Sequence, residues 1–340
     1  MAFYNRGGGV IDTPKHILDL SWGRRLDNIS SSTINFSISD LSCCSQLGIL
    51  EPIAHSMSVI RNNAEVWYGT IKRVEYGRDL VQVQSDDGLF WLDSRIVHED
   101  HSWTKTDLTD IFVDLFNDAM LPDPISQLSL ATTPTLVLES RKAKASDNRY
   151  VWNIVQEMLD TGLDVTAFGR KILVGIMYNS QPLELRLGDV QGDPKILKDG
   201  TLFGNKIIVD ANEKAVGIYP PSGTVSAYPL VEKVLKDGQI QDAASALNAA
   251  KSRYEFSKVV PRLVNIADGI QLQPNSALAK NNLNLLIPGS LITVNTEGLC
   301  YDQKEVFRLG NVDVTVAGGI ETVSLSLQPT GPEASLEESF

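Results

Sequence analysis

The stretch Val66–His98, VWYGTIKRVEYGRDLVQVQSDDGLFWLDSRIVH, constrains the fold of this chain more than any other. Residues 66–76 are rich in β-branched and aromatic side chains, Gly77 punctuates them, and 79–84 alternate with period two, which predicts a β-hairpin. Val81 and Val83 fall on one face and Gln82 and Gln84 on the other, so one side of the sheet packs and the other is wet. Gly69 inside the first strand predicts a bulge or a close backbone approach. The aromatic and leucine residues of 87–95 are then expected to close the end of a small barrel. Nothing in the stretch has a catalytic pattern; it reads as scaffold.

The chain has 340 residues, enough for two or three domains, with 43% hydrophobic and 21% charged residues, as in globular proteins. No run of eighteen apolar residues is present, so no membrane span is expected. The first residues lack the apolar core of a signal peptide, which predicts folding where the chain is made. Cys43, Cys44 and Cys300 lack metal-site spacing and read as reduced, buried thiols. The net charge of −12 and pI near 4.8 exclude a nucleic-acid grip, which needs clustered Lys and Arg. Solubility and a wall past which DNA slides both fit that sign.

Along the chain, 1–16 read as a flexible N-terminal arm. Strands are expected at 17–20, at 33–38 with Ile34, Phe36 and Ile38 on one face, and at 57–60, with a turn at Asn62–Asn63. A first β-barrel at 17–100 follows. From 101 to 185 the pattern changes to α+β: a helix capped by Thr106 or Asp107 and ending before Pro122, a second from about Asp147 that stops at Gly162, and a hairpin at Gly169–Arg170. Residues 186–328 read as a second β-barrel with an inserted helix capped by Asp242, and 329–340 as an acidic tail. The fold class is mainly β: two related small β-barrels with an intervening α+β domain.

No catalytic, cofactor-binding or metal-binding residue is assigned. His98-Glu99-Asp100-His101 could hold a metal if helical, but lacks the spacing of a helical zinc motif and sits at a domain junction. His16 and His55 stand apart from it. Gly7-Gly8-Gly9 has no lysine or strand–loop–helix context for phosphate. Asp86–Asp87 and the pair Asp107, Asp110 could in principle serve a glycosidase, although carboxylate pairs abound among 42 acidic residues. Trp22, Trp67, Trp91, Trp103 and Trp152 could form a sugar-stacking surface, but lie in apolar patterns that predict core. The chain is therefore read as non-enzymatic, without cofactors.

The chain also resembles itself. Residues 58–60, an Asn turn, a strand holding Gly69, a Gly77 turn and VQVQ make one series. Residues 291–293, Asn295, a strand broken at Gly310, a Gly318–Gly319 turn and VSLSLQ make another. The match predicts two related modules, with Val81 and Val83 equivalent to Leu325 and Leu327.

The runs Trp22-Gly23-Arg24-Arg25-Leu26, Cys43-Cys44-x-x-Leu47-Gly48 and 61–71 (RNNAEVWYGTI), with 285–290 (LLIPGS) and Val306-Phe307-Arg308-Leu309-x-x-Val312-x-Val314, resemble the tail hub proteins of long-tailed phages. The similarity is to the siphophage-like, baseplate hub or tail tip type, most like those of actinobacterial hosts. It implies a structural virion protein at the tail tip: a homotrimer whose two barrels per chain form a pseudo-sixfold ring. That ring would join the hexameric ring of distal tail or tail tube proteins to trimeric tail tip or fibre proteins. The tape measure protein would be a further partner, and DNA would pass through the channel at genome ejection without specific binding. Asp86–Asp87 and 189–193 are expected to make the channel acidic. The chain leaves no room for the peptidase or lysozyme extension of some relatives. The alternative is a cell-wall-directed hydrolase or carbohydrate-binding module of a tail tip.

Overall fold

The computed structural model describes residues 1–14, 17–37, 47–175, 183–192, 195–198, 200–201, 203–212, 215–221, 228–238, 240–258, 262–265, 270–280, 283–297 and 304–329. Seven strands come first: β1 (Ala2–Tyr4), β2 (Val10–Asp12), β3 (Ile17–Arg25), β4 (Ser31–Ser37), β5 (Ser56–Arg61), β6 (Ala64–Tyr76) and β7 (Leu80–Asp87). The middle of the chain supplies α1 (Phe90–Asp93), β8 (His101–Asp107), α2 (Leu108–Met120), β9 (Ser129–Thr133), β10 (Leu138–Ala143), α3 (Val151–Leu159), β11 (Val165–Phe168) and β12 (Lys171–Gly175). Next come β13 (Leu183–Arg186), β14 (Lys195–Lys198), β15 (Lys206–Asn212), β16 (Ala215–Tyr219), β17 (Glu232–Lys236) and α4 (Ala243–Ser257). The last elements are β18 (Arg262–Asn265), β19 (Ile270–Gln271), α5 (Ala277–Lys280), β20 (Leu291–Asn295), β21 (Lys304–Ala317) and β22 (Ile320–Pro329). The chain is thus mainly β. Among the described residues no helix is long and apolar enough to cross a membrane.

The β-rich beginning and end of the chain, expected as two barrels, are hydrogen-bonded into one continuous sheet. Its path runs β13-β20-β21-β3-β4-β7-β6-β5-β1-β2, and β22 pairs with both β21 and β19. The joint is β3 against β21, in antiparallel register from Asp19–Ala317 to Arg25–Asn311. Each group thereby covers an edge of the other, which removes two open rows of backbone donors and acceptors. A single apolar core follows, in which Phe3, Trp22, Phe36 and Val83 pack in the same cluster as Phe307, Val312, Leu325 and Leu327.

The segment expected to be a flexible arm is also part of this sheet. Strand β1 pairs with β5, and the fully buried Phe3 ring lies 6.0 Å from Phe36. Burying one phenylalanine stabilises by about 2 kcal/mol, which together with the pairing to β5 offsets the entropy of ordering a three-residue strand. The Gly7–Gly9 run is the loop between β1 and β2, with Gly8 at φ +81°.

A second core holds the middle of the chain. Helices α2 and α3 pack with the three-stranded sheet β11-β12-β9 and the pair β8-β10. Leu89 and Leu92, expected to close a barrel, turn into this core through α1 instead. Asp107 caps α2 by accepting from the Thr109 N–H. Helix α3 starts at Val151, later than the expected Asp147, because Asn148 takes a left-handed φ of 49°. Gly162, at φ +118°, follows its end as expected.

The segment expected to be only an inserted helix is larger. It is a third unit in which α4 covers one face of the sheet β16-β15-β17, with Ile207, Val209, Ala246, Ala249 and Ala250 between them. Asp242 caps α4, as expected, by accepting from the Ser245 N–H. Cys43, Cys44, Cys300, His16, Ile38 and the tail from residue 330 lie outside the described residues.

Candidate assembly surface

Among the described residues, several side chains weighed for chemistry are engaged in holding the fold. The Asp87 carboxylate is buried and accepts from the Ser30 N–H, the Ser30 hydroxyl and the Leu89 N–H. Burial pushes it up to about 6 despite those bonds, and it cannot line a channel. Its neighbour Asp86 pairs with Lys72 at 2.7 Å and accepts from Ser31. Asp189 accepts from the Arg186 N–H and so caps its own turn. The His98–His101 segment is not helical. The N–H groups of His98 and Glu99 donate to the buried Asp118 carboxylate, and His101 stacks flat on Trp103, with centroids 5.1 Å apart. His55 accepts from the Glu51 N–H. Trp22 and Trp67 belong to the first core and Trp103 and Trp152 to the second, with Trp91 half-buried beside it, so the five do not form a row.

Arginines form the joints between units, a feature the residue types alone did not reveal. Arg24 is fully buried, with no carboxylate among its hydrogen-bond partners. It donates to the Val66 carbonyl at 2.8 and 3.2 Å and to the Leu283 and Leu286 carbonyls at 3.1 and 2.9 Å, with its guanidinium 4.2 Å from the Phe168 ring centre. Burial lowers its pKa to about 9, so it stays charged at neutral pH. Arg308 pairs with Asp164 and so ties β21 to the middle unit. The buried Arg141 serves Glu139, Glu157 and Asp237, the last from the third unit.

Apolar groups meet solvent at several places, and one of them is an end of the large sheet. Strands β5, β6 and β7 form an antiparallel meander, and β20, β21 and β22 form another. Their surroundings repeat: β4-β7-β6-β5-β1 on one side, β19-β22-β21-β20-β13 on the other. Each long middle strand carries a glycine beside a register shift, Gly69 before Ile71/Arg73 and Gly310 within Leu309/Asn311. Aligned at those shifts, Val83 corresponds to Leu325 and Val81 to Val323, two residues off the expected pairing of Val81 with Leu325 and Val83 with Leu327, and all of these side chains are buried. The repeat is imperfect, since β1 meets β5 antiparallel whereas β13 meets β20 parallel.

Both meanders turn at the same end of the sheet. The register runs from Ala317 to Asp19, Asn35, Gln82 and Glu75 across five strands, and the two turns stand just beyond that row. Their centres are four strand spacings apart, about 19 Å along the sheet. Tyr76 and Leu80 are exposed at one turn, Ile320 at the other, and Leu18 between them; Ile320 is 66% exposed. An apolar rim of this kind is a contact surface more often than a site of chemistry.

No protein-family model matches the chain, and no curated protein matches it by sequence. Solved structures do. The tail protein from Neisseria meningitidis MC58 aligns over 98% of each chain at 13% identity, with a TM-score of 0.68. The 43 kDa tail protein of prophage MuSo2 from Shewanella oneidensis aligns over 98% of each at 11% identity and 0.64. The c3393 protein of E. coli, a component of the type VI secretion system described as structurally similar to bacteriophage T4 tail proteins, aligns over 97% of this chain and 77% of its own at 12% identity and 0.56. Along nearly its whole length, then, this chain has the fold of phage and prophage tail proteins.

Proposed function

We propose that the chain is a structural tail hub protein of a long-tailed phage, and that it works as a homotrimer at the tail tip. The observation that carries this reading is the repeated meander whose two turns lie at one end of one sheet. Three chains would present six similar turns, which is the simplest way for a threefold object to meet a sixfold ring. The apolar residues Tyr76, Leu80 and Ile320 on those turns are of the kind that bury at such a contact. The hexameric distal tail or tube proteins would sit against that end and the tail tip or fibre proteins against the other, with the tape measure protein in reach of the channel.

This role needs no catalysis. Asp86, Asp87, Asp107 and His55 are occupied in pairs, caps and turns, and the acidic balance of the chain suits a passage that does not hold DNA. The test is native mass measurement of the chain co-expressed with the adjoining tail proteins. Complexes holding three copies are expected; a single copy per complex would sink the proposal. Purified protein is expected to leave peptidoglycan intact, and clearing of a peptidoglycan gel that is lost with Asp86→Ala or His98→Ala would overturn the non-enzymatic part.

A further inference from the structure

The third unit leaves one sheet face bare. Helix α4 covers the inner face of β16-β15-β17 closely: a Cβ on Gly217 would lie 2.2 Å from the Ala246 carbonyl. Side chains alternate across a strand, so the remaining residues point the other way. Register sets them in three rungs. Lys206 stands opposite Glu232; Ile218, Ile208 and Val234 form the middle rung; Val216, Asp210 and Lys236 form the third. Val234 is 58% exposed, Val216 48% and Ile218 41%, while Ile208 is half-buried. Lys206 and Glu232 are ion-paired within the chain at 2.5 Å.

The arrangement of charge says what fits this face. It has two cations and two anions, with the apolar rung between them. A half turn about an axis lying along that rung places the rung on its own copy. The same operation sets Lys206 against Asp210 of a second copy, and Glu232 against Lys236 of a second copy. Every charge meets its opposite, and no like charges are opposed. We propose that this face is an isologous docking surface for a second copy of this chain, the two sheets packing face to face about that axis. Sheets packed in this way lie about 10 Å apart, a gap that lysine and glutamate side chains can bridge. The exposed apolar area is roughly 250–300 Å², no more than an ordinary monomer surface carries, so it is the charge pattern that selects the occupant. With its charged rim the contact lies below the standard specific size, so the association is weak and concentration-dependent.

The contact is separate from the sheet end assigned above to the hub ring.

The experiment is sedimentation of the purified full chain from about 1 to 200 μM, the range in which an interface of this size dissociates. A monomer–dimer equilibrium is expected. Val234→Glu is expected to leave monomer at all concentrations. Lys236→Glu, at an exposed position that tolerates the change, is expected to weaken dimerisation about tenfold by opposing two glutamates. Adding Glu232→Lys to that variant is expected to restore it. Ile320→Asp, on the hub surface, is expected to leave the dimer unchanged, so a failed hub reading would not mimic a failed docking face. Monomer throughout, a dimer indifferent to Val234→Glu, or loss of a different tail protein's binding on Val234→Glu with the wild type monomeric would each overturn the proposal.

Discussion

At the scale of single residues, the buried charges carry the most energy. Arg24 satisfies three backbone carbonyls that belong to distant parts of the chain. Removing it leaves those carbonyls buried without a donor and opens a cavity between the Trp22 and Phe168 rings. Arg24→Ala is therefore expected to cost about 3–5 kcal/mol, read as a fall in the urea midpoint. Arg24→Lys recovers only part of that, because a single ammonium cannot span carbonyls on both sides of the joint. Asp87 makes a prediction about pH. Burial holds its folded pKa at about 6, above the ordinary aspartate value of 3.8. The folded state thus holds this proton more tightly, and the resulting stability is present below pH 4 and lost as pH rises through 6. Asp27, also pushed up to about 6 by burial, acts in the same direction. Asp87→Asn is expected to flatten the fall in melting temperature between pH 4 and 6.5. An unchanged slope would mean that the carboxylate is not buried as described.

At the scale of elements, the long strands β6 and β21 do most to set the shape. Each pairs with one neighbour over its first half and another over its second, and each bends at a glycine. A Cβ on Gly69 would lie 2.3 Å from the Asp86 carbonyl and from the Trp67 ring. Gly69→Ala is expected to destabilise by about 2–4 kcal/mol, since the contacts are backbone and a buried ring and neither can yield. At Gly310 the nearest atoms are those of the Gln328 side chain, which can swing away. Gly310→Ala is expected to cost less than half as much, and thermal melts of the two variants compare them directly. The hairpin at Asn62–Asn63 shows the opposite case, in which local chemistry was decisive. Both residues take left-handed φ, 50° and 63°, as a two-residue turn between twisted strands requires, and asparagine tolerates that better than any other side chain with a Cβ.

At the scale of the whole molecule, the sheet end and the bare face of the third unit make distinct demands. Tyr76→Asp with Ile320→Asp is expected to abolish capture of the chain by an adjoining hexameric tail protein while changing the melting temperature little, because both side chains are exposed. Retention of that capture would remove the sheet end from the proposed interface.

The sequence by itself determined the elements that local physics controls. Alternation in Ile34 and Phe36 or Val81 and Val83, the Asp107 and Asp242 caps, Gly162 after its helix and the turn at Gly169 all act within a few residues, and all stand where the pattern put them. The internal repeat was legible for the same reason, since a glycine-broken strand followed by a glycine turn leaves a mark in one dimension. The partners of edges were not legible. Nothing in the alternation of residues 17–25 or 311–317 says that β3 will pair with β21 and join the two β-rich regions into one sheet with one core. The same holds for Phe3, whose burial depends on an edge of β5 more than fifty residues away, and for Leu89 and Leu92, which could have packed on either side of the boundary. The bare face of the third unit is the clearest instance. Its residues alternate like those of any half-buried strand, and only the register across three strands aligns Lys206, Asp210, Glu232 and Lys236 around an apolar rung. Period-two patterning fixes which side chains share a face; which face meets which is decided by long-range pairing, whose cost in chain entropy and gain in buried surface exist only in the folded molecule.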